Sequence, residues 1–194
     1  MKRIVIPVLV LAAAAPLTTG CGSTDRVTLA VASASAVPTA PAAGHNDQDV
    51  MFAQMMIPHH RQAVEMAKLA EGRAAGGQVK DLARRIEAAQ EPEIRTMSGW
   101  LTGWGAPVPG ERSVPMDHDM PGMMSGQAMK ELQELRGAAF DRAFLTMMIE
   151  HHEGAVAMAR QEQAGGVHEP ARRMAADIVA GQSAEIAEMR RLLR

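Results

Sequence analysis

Apolar residues recur at helical spacing in the middle of the chain, and the same spacing returns in its last third. One face of the first stretch is formed at positions i, i+4, i+7, i+11 and i+14 by Phe52, Met56, His59, Ala63 and Met66. The second stretch has the same face, formed by Phe144, Met148, His151, Ala155 and Met158. This period is typical of an amphipathic α-helix. Each stretch therefore predicts a long helix with a histidine on its apolar face.

The two helices belong to an internal duplication. Residues 55–67 (MMIPHHRQAVEMA) return as residues 147–159 (MMIEHHEGAVAMA), with nine of thirteen letters identical and an offset of 92. A second helical segment follows in each half and carries the pattern Q-x-x-E-I-x-x-M, which begins at Gln90 and Gln182. Glycine-rich breaks near 72–77 and 165–166 separate the helices, and we expect the offset to slip there. Two such hairpins, each too thin to bury its own apolar face, predict an all-α, ferritin-like four-helix bundle.

The segment that joins the halves has a different composition. Residues 102–125 are rich in proline, glycine and methionine, so they predict a linker that is not helical throughout. A short extra helix is expected at 126–136. The predicted domain of residues 47–194 then consists of repeat one at 47–101, the linker, and repeat two at 126–194. Pro58 is a misfit, because it removes a hydrogen bond from the first helix. We expect it on the polar side of that helix, either as a tolerated kink or as a residue that shapes the site next to His59.

The first residues of the chain have the pattern of an export signal. A basic start and a short apolar run precede Cys21, the only cysteine of the chain. This order predicts a lipoprotein signal peptide at 1–20 with lipidation of Cys21, and ordinary secretion is the alternative. Residues 21–46 lack hydrophobic periodicity and predict a disordered tether. The expected product is anchored by lipid on the extracytoplasmic face of the cell membrane.

Several polar side chains fall on faces that should point into the core. A buried polar group without a partner costs on the order of 1–3 kcal/mol, so these groups must pair, hold water or bind a ligand. We expect the first histidine of each pair, His59 and His151, to face the glutamine and glutamate of the partner helices. The supporting polar residues of this layer are Gln90, Glu93, Gln182 and Glu185.

Two interpretations of this layer remain open. The first is a polar core layer that only specifies how the helices pack. The second is metal coordination, because imidazole nitrogen together with thioether sulfur suits copper, and Cu(I) in particular. Iron or manganese is less favoured, since the Glu-x-x-His pairs of di-iron bundles are missing. The candidate metal ligands are His59, His60, His151, His152, Met55, Met56, Met147 and Met148.

A second group of soft ligands lies in the linker, in the stretch MDHDMPGMMS at 116–125. One interpretation is a flexible clamp for Cu(I), and the other is a hydrophobic lid on one end of the bundle. This second candidate site consists of Met116, His118, Met120, Met123 and Met124. Elsewhere, Asp49 and Asp141 are expected at the starts of their helices and are interpreted as first-turn acids, which the helix dipole stabilises.

The segment FDRAFLTMMIEHHEGAVAMA at 140–159, with GQSAEIAEMRRLL after it and MPGMMS before it, resembles the domain-of-unknown-function family 305 (DUF305). The resemblance covers about residues 47–193. It implies a ferritin-like bundle, commonly exported, with some members that are periplasmic copper-binding proteins implicated in copper tolerance. It carries over to the two His-His pairs and their neighbouring methionines. The first half departs from the family pattern at Pro58 and Gln62.

The sequence therefore predicts an extracytoplasmic copper-binding lipoprotein that buffers the ion or confers copper tolerance. A structural or interaction bundle without metal is one alternative, and a ferritin-like di-metal redox enzyme is another. No nucleophile–base pair or phosphate loop is recognisable, so no catalytic residue is assigned. The formal net charge of −2 argues against a nucleic-acid partner. The expected partners are a metal ion and the membrane, and the sequence does not indicate a protein partner.

Overall fold

A computed structural model describes residues 44–110 and 120–194. Two long helical hairpins make up most of this part of the chain, which confirms the predicted all-α bundle. The first hairpin consists of α1 (Asp47–Arg73) and α2 (Gly77–Gly103), and the second of α4 (Gly137–Gly165) and α5 (Glu169–Leu192). A short helix, α3 (Gly126–Glu134), lies between them. The predicted signal peptide, Cys21 and most of the tether lie outside the described residues.

The two hairpins keep the same offset through their turns, so the predicted slip of register was wrong. The first helices end at Arg73 and Gly165, and the second helices begin at Gly77 and Glu169. Each pair is 92 residues apart. The glycine pairs mislead because they occupy different places: one is at the start of α2, and the other is at the end of α4. Both connections therefore have three residues.

The core is divided into two apolar clusters with the histidines between them. One cluster contains Phe52 and Met56 from α1 with Met158 from α4. The other contains Phe144 and Met148 from α4 with Met66 from α1. Because the two helices run in opposite directions, each cluster combines the first part of one stripe with the last part of the other. The duplication thus generates a core with approximate two-fold symmetry.

Acidic residues at the starts of α1 and α4 tie each hairpin to the other. Asp49 completes a capping box with Asn46, and its carboxylate also accepts from the backbone N–H groups of Val167 and His168. Asp141 accepts from the backbone N–H groups of residues 75 and 76 in the other turn. Asp49 lies in the first turn of α1, as predicted, whereas Asp141 lies beyond the first turn of α4, which begins at Gly137, so its assignment as a first-turn acid was wrong. Each of the two aspartates caps the turn of the opposite hairpin.

A buried carboxyl group without a counterpart in the first hairpin lies beside Asp49. Glu162, in the last turn of α4, is fully buried. Burial, together with the neighbouring Asp49, raises the pKa of Glu162 to about 8. Burial also acts to raise the pKa of Asp49, but the neighbouring Glu162 carboxyl group and the hydrogen bonds from backbone N–H groups lower it overall. The two carboxyl groups therefore share one end of the bundle with different protonation states.

The linker covers part of the polar side of α1. Pro58 was predicted to lie on this side, and it does, yet it is buried. It lines a groove of about 400 Å³ with Pro107, Val108 and Pro109 of the linker. Arg61 donates to the carbonyl oxygens of Pro109 and Gly110 and holds this segment in place. Among the described helices, none is both long enough and apolar enough to cross a bilayer.

Candidate metal centre

Four histidines meet in one buried layer where α1 and α4 pack against each other. The exposed fraction is 0% for His59, His60 and His152 and 1% for His151. The rings of His59 and His151 are in contact across the approximate two-fold axis, with centroids 3.8 Å apart and planes inclined by 41°. The ring centroids of His151 and His152 are 6.4 Å apart. The duplication therefore places both His-His pairs at one level of the core.

The second histidine of each pair contacts a glutamate of its own hairpin. His60 Nε2 lies 2.7 Å from Glu93 Oε2, and His152 Nε2 lies 2.7 Å from Glu185 Oε2. The expectation that the first histidine would meet these glutamates was therefore wrong. One residue further along a helix is a rotation of about 100°. This rotation turns the second histidine toward the other helix of its hairpin, whereas the first faces the opposite hairpin.

His59 contacts the linker instead of a glutamate. Its Nε2 lies 3.1 Å from the carbonyl oxygen of Pro121, and its Nδ1 has no hydrogen-bond partner. Neither ring nitrogen of His151 has a partner. Burial lowers the pKa of His59 to about 3 and, with the neighbouring His59, lowers the pKa of His151 well below its usual value. Both rings are therefore neutral at physiological pH, and a neutral imidazole has a lone pair that can bind a metal.

The layer contains an unusual number of buried polar atoms without a hydrogen bond. Native cores leave only a few such atoms per hundred residues, and each one calls for an explanation such as water or an ion. Five of those here are histidine ring nitrogens, and two are side-chain oxygens of the supporting glutamines. They are His59 Nδ1, His60 Nδ1, His151 Nδ1, His151 Nε2, His152 Nδ1, Gln90 Oε1 and Gln182 Oε1.

The acidic and imidazole groups alone do not form a complete cage. Within residues 44–110 and 120–194, no three His, Cys, Asp or Glu side chains are arranged so that they could hold a metal ion. A metal bound in the layer would therefore need thioether sulfur as a further ligand, or a separation of the contacting rings of His59 and His151.

The predicted methionine ligands fall into two classes. Met56 and Met148 are fully buried, and each belongs to the apolar cluster on one side of the histidine layer. Met55 and Met147 are only partly buried. Met55 lines the groove beneath the linker, while Met147 packs at the edge of the cluster that contains Phe144. By burial and position, the inner pair is better placed for a ligand in the layer.

The second candidate site is only partly within the described residues. Met116 and His118 lie outside them. Met120 lines the groove together with Met55, whereas Met124 packs against the cluster that contains Met148. Met123 donates its backbone N–H to the carbonyl oxygen of Met120 in a turn. Met120 and Met124 thus pack in different places, and a metal site in this stretch stays a prediction.

Sequence reasoning missed the residues that hold the linker against the layer. The side chain of Gln62 makes two hydrogen bonds to the backbone of Met124, and Pro121 lies against the backbone of α4 at Gly154. One signal could have found them. At the offset of 92, Gln62 corresponds to Gly154, and this is one of the few positions in the repeated motif where the halves differ.

Solved structures similar to this chain include two DUF305 proteins and CopM. A Streptomyces coelicolor DUF305 protein described as secreted is 35% identical, with a TM-score of 0.69, and 75% of this chain and 91% of that chain are covered. A DUF305 fragment from Deinococcus radiodurans is 36% identical, with a TM-score of 0.69 and coverage of 76% and 96%. CopM in its Cu(II)-bound form is 35% identical, with a TM-score of 0.67 and coverage of 75% and 95%. CopM has also been solved in Cu(I)-bound, Ag-bound and apo forms.

No curated protein matches the chain significantly. The family model for DUF305, a domain of unknown function, matches residues 49–193. This range spans all five helices except the first two residues of α1, and it includes both His-His pairs and the linker between the halves. The chain therefore belongs to the DUF305 family.

Proposed function

We propose that this protein binds copper outside the cytoplasm and holds Cu(I) in the buried histidine layer, where it buffers or hands on the ion without chemical turnover. The observation that carries the proposal is the set of five histidine ring nitrogens that are buried without a hydrogen-bond partner. Burying such groups without a ligand costs free energy, while neutral imidazole is a good ligand for copper.

The hydrogen bonds of the layer indicate which nitrogen atoms would bind. A metal-binding histidine usually donates its other ring N–H to a carboxylate or a backbone carbonyl group, and this contact orients the ring. His60 and His152 have Glu93 and Glu185 in this role, each at 2.7 Å. Their Nδ1 atoms are the unpartnered ones. We therefore assign Nδ1 as the ligand atom of these two histidines.

The neighbouring side chains favour a soft ion. The sulfur atoms of Met56 and Met148 come from fully buried side chains one turn before the histidines on α1 and α4. Thioether sulfur selects Cu(I) over hard cations such as Mg²⁺. Similarity to CopM, which has been solved with Cu(I), Cu(II) and Ag, supports the same choice.

A competition titration tests the proposal. Cu(I) is titrated into the purified protein, without a polyhistidine tag, in the presence of a chromophoric chelator. We expect a Kd well below micromolar, competition by Ag(I), and none by Mg²⁺. The double variant His59→Gln/His151→Gln should weaken binding at least tenfold, whereas His45→Ala, outside the layer, should leave it unchanged. Helix content by circular dichroism shows whether each variant folds. Binding no tighter than micromolar, or equal binding by the folded double variant, contradicts the proposal.

A second candidate is a structural bundle in which the layer only fixes how the helices pack. The two equal His–Glu contacts favour it, because a matched pair in each hairpin specifies register without any metal. The two candidates differ in how the melting temperature responds to metal. A ligand that binds only the folded state stabilises it by mass action, so stoichiometric Cu(I) should raise the melting temperature if the first candidate is correct. An unchanged melting temperature would favour the second. A di-metal redox enzyme stays a prediction, and the metal content of the native protein tests it.

We also propose that the protein is exported and anchored through lipidated Cys21. The sequence pattern supports this, as does similarity to a protein described as secreted. Mass spectrometry of the mature protein should find an N-terminal cysteine with the mass of its acyl chains. The variant Cys21→Ser should lose this mass and the membrane association. A mature protein that begins elsewhere and has no lipid would contradict the anchor while leaving export in place.

A further inference from the structure

The linker passes directly over the histidine layer in a segment that we call the strap, residues Met120–Met124. It lies so close to α4 that a Cβ atom at Gly154 would collide with the carbonyl oxygen of Pro121. Gly122 has a φ of +79°, and a Cβ there would lie 2.6 Å from the carbonyl oxygen of Glu150. Real Cβ atoms do not occur at such distances, and a positive φ also favours glycine. The two glycines therefore allow a backbone contact that no other residue type permits.

The strap is held from the other side by α1. Gln62 Nε2 donates to the carbonyl oxygen of Met124 at 2.9 Å, and the backbone N–H of Met124 donates to Gln62 Oε1 at 2.7 Å. The side-chain NH2 group and the side-chain oxygen of Gln62 are thus both paired with the backbone of Met124, and this double contact holds the strap against α1. Gln62 is nearly fully buried, with 8% of its surface exposed. The strap is thus clamped between α1 and α4.

The duplication is broken where the strap lies. At the offset of 92, the clamp residue Gln62 corresponds to Gly154, and Pro58 beneath the linker corresponds to Glu150, whose carbonyl oxygen faces Gly122. A single strap cannot contact both halves in the same way. Each half therefore has the residue that its own side of the strap requires, a glutamine that binds it on α1 and a glycine that admits it on α4.

The strap supplies one hydrogen bond to the histidine layer. The carbonyl oxygen of Pro121 can only accept, so the proton of the 3.1 Å contact belongs to His59 Nε2. His59 Nδ1 is then left with a lone pair, buried and without a partner. A second proton on Nδ1 would create an unpaired buried charge, which is costly. The Pro121 carbonyl group is thus the acceptor at Nε2 for His59, as Glu93 and Glu185 are for His60 and His152. His151 has no such contact.

We propose that the strap is a positioning element of the metal centre. The Pro121 carbonyl group holds His59 as the Nε2–H tautomer, so that Nδ1 is its ligand atom, and Gln62 and Gly154 are positioning residues that keep the carbonyl group in place. The statement about the ligand atom rests on the proposed function, whereas the tautomer is a property of the metal-free protein. The inference makes the two central histidines unequal, since His59 is oriented in advance and His151 is not.

Nitrogen NMR of the metal-free protein tests the tautomer. Imidazole ¹⁵N shifts and their couplings to ring protons distinguish Nε2–H from Nδ1–H, and the loss of signals in His59→Gln assigns them. We expect His59 as the Nε2–H tautomer in the wild type and a mixture of tautomers in Gly154→Ala, because the added methyl group expels the strap. Gly181→Ala is the matched control, since nothing lies within 4 Å of its added Cβ and it is also helical. An Nδ1–H tautomer in the wild type, or an unchanged spectrum in folded Gly154→Ala, overturns the inference.

Copper affinity separately tests the claim that His59 binds the metal through Nδ1. Loss of an outer contact to a metal-binding histidine typically weakens binding 10- to 100-fold. We expect a loss within this range for Gly154→Ala and for Gln62→Ala, and none for Gly181→Ala. The conservative variant Gln62→Glu keeps an acceptor for Met124 and should recover part of the loss. If the wild type binds no Cu(I), the proposed function fails and the spectra alone decide the tautomer. If the wild type binds and both strap variants bind equally well, the strap inference fails and the proposed function stands.

Discussion

The first hairpin, α1 with α2, and the second hairpin, α4 with α5, place a histidine and a glutamate at the same 2.7 Å distance. They also place the turn between their helices at matching residues and cap each other's turns with corresponding aspartates. In each of these features, the first hairpin contributes one member of a pair and the second hairpin contributes the other. The pairs are the buried histidine rings, the capping carboxylates and the turns. The approximate two-fold symmetry is therefore kept in the histidine layer and at the turns that the aspartates cap.

The two halves differ where they contact a segment or a side chain that occurs only once in the structure. The strap contacts both halves, and the residues on its two sides are Gln62 and Gly154. At one end of the bundle, Glu162 stands where the first hairpin has Ala70. Both differences change how a buried polar group is satisfied. The repeated parts of the chain therefore form the bundle and its histidine layer, and the positions where the halves differ set the surroundings of that layer.

The two capping aspartates should differ most in how much they contribute to stability. Asp49 is fully buried and accepts from the backbone N–H groups of Asn46, Val167 and His168. Asp141 is partly exposed and accepts from two such groups. Because lost hydrogen bonds cost more where water cannot replace them, Asp49→Ala should lower the free energy of unfolding by about 3 kcal/mol and Asp141→Ala by about 1 kcal/mol.

Urea unfolding of both variants at one pH measures this difference. The double variant shows whether the two ends act independently, since distant sites usually add within about 0.5 kcal/mol. Equal losses in the two single variants would mean that the burial of Asp49 has no energetic consequence, and the contrast between the two joints would then be only geometrical.

Glu162 should make the stability of the second hairpin depend on pH in a way that Ala70 cannot. Its pKa is raised to about 8 by burial and by Asp49, and Gln48 and Arg172 oppose the shift. Between its ordinary value of 4.5 and pH 8, the folded protein keeps a proton that the unfolded chain releases. The free energy of unfolding should therefore fall as the pH rises through this window. We expect about 2 kcal/mol, less than the full shift would give, because water can reach an ionised carboxylate at the end of a bundle.

The variant Glu162→Gln isolates this contribution. Unfolding is measured at pH 5 and at pH 8.5 for the wild type and the variant, and the difference between the two slopes is the contribution of Glu162. Buried His59 and His151, whose pKa values are lowered, act in the opposite direction but are common to both proteins. The lowered pKa of Asp49 matters only below about pH 4. Equal slopes would mean that Glu162 is ionised in the folded state.

Much of the fold could be predicted from the sequence because the apolar stripe is repeated. The five helices and the burial of all four histidines follow from periodicity and from the duplicated motif. The partners of the histidines could not be predicted in the same way. A helix period tells which face a residue is on, but His59 and His60 share a broad face, and only the packing of α1 between two neighbours decides which one meets Glu93.

The linker is where sequence reasoning had the least support. It has no period to read, so its methionines indicated only a clamp or a lid. The path of the backbone determines what it contacts, and here the polar contribution comes from the carbonyl oxygen of Pro121, a group that every residue type has. In the sequence, Gly154 is one of four differences between the two copies of the repeated motif, and its role follows from its contact with Pro121.

The two His–Glu contacts should respond equally, and only moderately, to the same substitution. Glu93 and Glu185 make the same contact, and their side chains are similarly exposed, at 24% and 21%. Glu93→Gln and Glu185→Gln each replace a carboxylate acceptor by a neutral amide oxygen of the same shape, which weakens the orientation and basicity of the paired histidine. If both histidines are metal ligands, each variant should weaken Cu(I) binding by about tenfold, and the two losses should agree.

A comparison of the two losses of affinity shows whether both hairpins contribute equally to metal binding. Equal losses mean that His60 and His152 contribute equally, so the asymmetry of the centre lies in His59, His151 and the strap. A large loss in only one variant would move the metal into one hairpin and make the other His–Glu pair a structural contact. Competition titration with the same chelator measures both variants, and Gln78→Glu, at an exposed position on α2, is a control for altered charge alone. Because the two contacts have the same length, a difference between the variants would point to what lies on the other side of each imidazole ring.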